Sequence, residues 1–93
     1  MKIIKSNLPT KRFVAVYCDG SRVQFGQRGA TTFVDGATEE TRKNWIARHR
    51  VRSDFNDPYS AGSLAKHILW GESKSIDANV RAFNRKFFPR CKC

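Results

Sequence analysis

Acidic side chains are scarce: 8 Asp and Glu stand against 18 Lys and Arg, a formal net charge of +10 at pH 7. A surplus that dense repels itself, so the working state includes an anionic partner or a counterion atmosphere. Nucleic acid, an acidic protein surface and an anionic membrane all meet that condition. Long apolar runs are missing as well. None approaches the ~18 residues of a membrane span, and Met1-Lys2-Ile3-Ile4-Lys5 is too short for a secretory signal, so membrane insertion is not expected. Histidine is limited to His49 and His67, and neither has a carboxylate or a thiol at a spacing diagnostic of nucleophilic chemistry. Asp54 and Asp57 are explained as turn and cap residues before they are paired carboxylates. Gly26, Gly29 and Gly36 punctuate turns, because no strand-loop-helix pattern with Lys-Ser or Lys-Thr accompanies them. Together these absences point to a protein that is not an enzyme and carries no cofactor.

Cysteine is equally sparse. Cys18, Cys91 and Cys93 make an odd number without a secretory signal, which is read as reduced thiols in an intracellular setting, with a late disulfide left open. A closed zinc site wants four ligands, usually as two pairs. Cys91-Lys92-Cys93 supplies one pair, and only an accident of folding would bring Cys18, His49 or His67 to it, so no metal is assigned.

What is present is a fair core for a small chain. Ninety-three residues, 40% hydrophobic and 12% aromatic, suffice for one domain that buries roughly 60–65% of the surface of its unfolded chain. The expected fold is α+β: an N-terminal antiparallel β-hairpin, extended to three strands if Thr31-Thr32-Phe33-Val34 joins it, packed against about three short helices. The expected boundaries are an extended arm over residues 1–10, the domain over 11–88 and a basic, cysteine-containing tail over 89–93. Lys11 to Tyr17 and Arg22 to Gly26 are β-rich runs around Asp19-Gly20, the preferred pair for a two-residue turn. That turn would set Val16 against Val23 and Val14 against Phe25 on the buried face.

Helix signals follow. Thr38-Glu39-Glu40-Thr41 opens the first with a capping hydroxyl and two acids where the helix dipole favours them, and Arg48, His49 and Arg50 close it. Asp57-Pro58 reads as the cap and first residue of the second, which Gly71 would end in the left-handed conformation. Ile76, Val80, Phe83 and Phe87, at steps of four, three and four, mark the core stripe of the last, begun near Ser73 or Ser75 and stopped by Pro89.

The segment Arg42 to Arg52 holds five fixed positive charges, His49 and Trp45, and no acid. Cations interleaved with an aromatic suit phosphate neutralisation and base stacking; a cationic helix end that complements the dipole, with Trp45 in the core, explains the same residues. No helix carries the base-reading pattern of a known DNA-binding motif. The candidate contact residues are Arg42, Lys43, Arg48, His49, Arg50 and Arg52, joined by Arg85, Lys86, Arg90 and Lys92 in a final stretch of thirteen residues without an acid.

Phe13 through Val16, Asp19-Gly20, Val23 through Gly26, Arg48-His49-Arg50, Asn56-Asp57-Pro58, Ala61-Gly62, Ile68 through Ser73 and Ala82 through Phe87 form a distinctive set. On these residues the chain resembles a small family of uncharacterised proteins encoded by large double-stranded DNA viruses of algae and amoebae. That resemblance implies a viral protein made in the host cell cytoplasm and placed in the virion. Its expected role is a minor capsid component that cements or clamps capsid proteins with acidic surfaces. The alternative is a genome-associated protein that binds DNA or RNA without sequence preference.

Overall fold

The computed structural model describes residues 1–89. Three antiparallel strands, β1 (Lys2–Lys5), β2 (Lys11–Val16) and β3 (Arg22–Gln27), form a sheet in the order β1-β2-β3. The architecture is the expected α+β one, but its third strand comes from the stretch read as an arm, not from Thr31 to Val34. Leu8 and Pro9 fall in the β1–β2 connection, where proline removes no ladder bond. Thr32 instead caps a 3-10 turn over Phe33–Asp35.

The hairpin turn is one residue longer than Asp19-Gly20 suggests. A two-residue turn of that type needs positive φ at both central positions, and only Gly20 takes it, at φ 89°. The Tyr17 N–H donates to the Ser21 carbonyl and the Gly20 N–H to the Tyr17 carbonyl, both at 3.0 Å. Cys18, Asp19 and Gly20 therefore make a three-residue loop, locked by the Asp19 carboxylate accepting from the Ser21 N–H at 2.9 Å. The pairing becomes Val16↔Arg22, Ala15↔Val23 and Phe13↔Phe25. A slip of one residue turns a strand over: Val23 and Phe25 of β3 share a face with Phe13, Ala15 and Tyr17 of β2, while Val14 is buried as expected but on the opposite face, across from Gln24, and Val16 is half-buried. Ala15, Tyr17 and Phe25 join the core, with Phe13 and Val23 packed against it. Cys18, read as a reduced thiol with a disulfide left open, is disulfide-bonded; Cys91 and Cys93 lie outside the described residues.

Helix α1 (Glu39–His49) begins as expected, with the Thr38 side chain accepting from the Thr41 N–H, and buries no residue fully. The next helix starts later than Asp57. That carboxylate is taken by the Tyr59 N–H at 2.9 Å, and the Ser60 hydroxyl, accepting from the Ser63 N–H, caps α2 (Ala61–Leu64). A π turn over Ala65–Leu69 continues α2 and closes with the Trp70 N–H on the Ala65 carbonyl. Gly71 does not adopt the left-handed cap. It is required for room, because a Cβ there would lie 2.3 Å from the His67 carbonyl oxygen and 2.7 Å from Asn79 Cγ.

Helix α3 (Ile76–Phe87) is capped by Ser75. Phe83 is buried, and Ile76, Val80 and Phe87 pack against the core, as their spacing predicts. Ala15 and Phe25 of the sheet meet Leu64, Ile68 and Leu69 of the second helical segment at the centre of that core. The Tyr17 hydroxyl reaches across to donate to the Pro58 carbonyl, and the surrounding burial pushes its pKa up.

Candidate anionic-partner interface

The basic segment divides on folding. Arg42 is a strut: its Nε donates to the carbonyls of Trp70 and Gly71, both at 3.0 Å, and its Nη1 pairs with Glu39 at 3.0 Å. These bonds satisfy carbonyls that the end of the π turn would leave bare. The guanidinium also lies 5.6 Å from the Phe33 ring centroid. Arg42, expected as a free contact cation, is thus largely committed within the fold.

Trp45 is likewise engaged. The His49 ring stacks on it at 4.0 Å and 15°, and Trp70 lies nearly parallel at 5.2 Å and 14°. His49 Nδ1 sits 2.9 Å from the Trp45 carbonyl oxygen, which fixes the imidazole over the indole. An indole face covered by a neighbouring ring is not an open platform for a base, so the packing explanation of Trp45 accounts for much of its position.

What remains outward is a cationic edge. Lys43, Arg48, Arg50 and Arg52 are exposed, and the two ion pairs among the described residues, Arg12–Asp35 and Arg42–Glu39, involve none of them. Arg48, His49 and Arg52 line a groove of about 820 Å³ whose other walls include Trp45, Trp70 and Leu69. Gly26, Ala61 and Ala65 also line it, small residues that keep it open.

Lys86 stands elsewhere. It lines a second concavity, of about 210 Å³, with Arg42 and Lys66. Lys66 was no candidate in the sequence, since it lies within an apolar helical run and only the fold brings it near Arg42. Arg85 is exposed and lines neither depression. Arg90 and Lys92 lie outside the described residues.

His67 is half-buried, with Nε2 2.8 Å from the Phe55 carbonyl oxygen, and burial lowers its pKa. Both imidazoles therefore bond to backbone carbonyls. No group of three or more His, Cys, Asp or Glu able to hold a metal ion occurs among the described residues, and no helix among them is long and apolar enough to cross a membrane.

Fold and surface define a small α+β domain with exposed cations on and after α1, two of which, Arg48 and Arg52, line a groove. Residues 1–49 match the family described as "Family of unknown function (DUF5754)". A curated relative, "Uncharacterized protein L851" of Acanthamoeba polyphaga mimivirus, is 35% identical over 80 residues, covering 75% of this chain and 80% of the relative. The chain belongs to that family of unknown function. The resemblance seen in the sequence thus holds as an uncharacterised family with a member in a mimivirus. No solved structure matches.

Proposed function

We propose that this protein is a non-enzymatic structural component of a large DNA virus particle, a minor capsid protein that clamps neighbouring capsid proteins. One observation carries the reading: Lys43, Arg48, Arg50 and Arg52 are exposed on α1 and the turn that follows it, and none forms an ion pair among the described residues. Single exposed charge pairs contribute little. Several acting together on an acidic surface raise affinity by multivalency and speed association. The partner class is capsid proteins with acidic surfaces, and the location is the virion.

The groove gives a second reading, sequence-nonspecific binding of DNA or RNA, because Arg48 and Arg52 line one depression and can neutralise backbone phosphates there. Carbodiimide cross-linking of purified particles, which joins lysine amines to carboxylates, tests the first reading directly. Cross-links from Lys43 to capsid proteins are expected, and absence of the protein from the particles refutes the clamp. A DNA titration at several salt concentrations tests the second. Genome binding requires log K to fall linearly with log salt and to weaken when Arg48, Arg50 and Arg52 are replaced by alanine.

A further inference from the structure

The second concavity lies where α1, the π turn and α3 meet, apart from the groove beside Arg48. Arg42, Lys66 and Lys86 line it, with Glu72 the one acid among its lining residues. Glu72 is exposed and forms no ion pair among the described residues. The ammonium of Lys66 lies 5.9 Å from the Phe55 ring centroid and that of Lys86 5.2 Å from the Phe87 centroid. Ring faces offset only a part of such charges.

Three cations around one small depression are mutually repulsive, and the chemistry of the site shows it. Burial lowers the Lys66 pKa first, and repulsion from Lys86 and Arg42 lowers it further. A π turn adds its own signal. It gives up regular helical bonding and recurs at functional positions, and this one carries Lys66 and His67 into the depression. Arg42 is held in place by its Nε bonds to the Trp70 and Gly71 carbonyls and its Nη1 bond to Glu39, which leaves Nη2 as its pre-oriented donor.

We infer that the depression formed by Arg42, Lys66 and Lys86 is a binding site for a single phosphoryl oxyanion. At about 210 Å³ it has room for a tetrahedral group but not for a run of polymer phosphates. Inorganic phosphate and a phosphate monoester present that same chemistry. The inference stands independently of the clamp, since Lys43, Arg48, Arg50 and Arg52 take no part in it.

The test is calorimetric titration of the full chain with inorganic phosphate and with a nucleoside monophosphate, against chloride at matched ionic strength. Saturable binding is expected for one or both phosphoryl ligands and not for chloride. Tighter binding of the monophosphate identifies a monoester ligand, and equal or weaker binding identifies free phosphate. Lys86→Met, on an exposed position, and Lys66→Met should each weaken binding about tenfold, the loss of one charge-assisted hydrogen bond. Arg48→Ala with Arg52→Ala should leave it unchanged. Phosphate binding no better than chloride overturns the inference, as does full affinity in Lys86→Met. Circular dichroism confirms that each variant is folded.

Discussion

Replacing Asn79 by alanine is expected to destabilise the fold by about 2–4 kcal/mol, although the side chain is uncharged and only helps to wall the second concavity. Asn79 is 4% exposed. Its Nδ2 donates to the Ile68 carbonyl at 2.9 Å and to the Ser73 carbonyl at 2.7 Å, and its Oδ1 accepts from the Ser73 N–H at 3.1 Å. One amide thus ties the π turn to the loop that leads into α3. In the alanine variant, the carbonyl of Ile68, a fully buried residue, loses a donor that water cannot readily replace, a penalty of ~1–3 kcal/mol. Ser73 is half-buried, so its two groups rehydrate in part and add ~0.5 kcal/mol each. Against a total of roughly 5–14 kcal/mol for a domain of this length, that loss lowers the melting temperature by on the order of 10–30 °C. Urea unfolding followed by the fluorescence of Trp45 and Trp70 measures it. Asn79→Asp is the sharper probe, because a carboxylate has no donor for two carbonyls and should destabilise more than alanine at neutral pH. A loss under ~1 kcal/mol in the alanine variant, or equal losses in both, would refute the reasoning.

The Arg12–Asp35 pair governs acid stability. Asp35 accepts from Arg12 at 2.6 and 2.7 Å and from the Thr32 N–H and hydroxyl at 3.0 and 2.7 Å, and the Arg12 bonds chiefly hold its carboxyl well below the usual carboxylate range. A depressed folded pKa gives stability that is full above the unfolded value, near 3.8, and lost as pH falls towards the folded one. Asp35→Asn should therefore cost about 1–2 kcal/mol at neutral pH and flatten the decline of the urea midpoint below the unfolded pKa; an unchanged slope counts against the pair. Gly71→Ala should cost ~3 kcal/mol by forcing a Cβ onto the His67 carbonyl, and adding Asn79→Ala should not restore it. Gly20→Ala, which meets nothing within 4 Å, should lose only the ~1–2 kcal/mol of an unfavourable positive φ. Denaturant midpoints of the three variants decide both expectations.

The helices were legible where their chemistry is local. Thr38 with its following acids, and the apolar stripe of α3, act within one or two turns and read directly from the residue order. The face of β2 was not, because Asp19-Gly20 fits both a two-residue turn and the longer loop that includes Cys18, and that single residue decides which side of the strand joins Val23 and Phe25. Asp57 and Ser60 are both sound caps, and the carboxylate is consumed by the turn at Tyr59. The packing of Arg42 and the place of Lys66 were hidden for a related reason. Arg42 sits in a run of exposed cations, yet its partners, Trp70 and Gly71, are 28 and 29 residues away. Lys66 sits in a hydrophobic run and meets the other cations only through packing of separate helices. Lys43, Arg48, Arg50 and Arg52 stay exposed as expected, since no acid among the described residues folds onto them.

The strand order carries a further consequence for self-association. With β2 in the middle, β1 and β3 each keep one flank outside the sheet's own pairing, the kind of margin along which identical chains zip into fibrils. Lys2 and Lys5 mark one margin and Arg22 the other, all exposed. Two copies meeting side by side bring ammonium against ammonium or guanidinium, so the excess charge that attracts a foreign surface also deters self-templating.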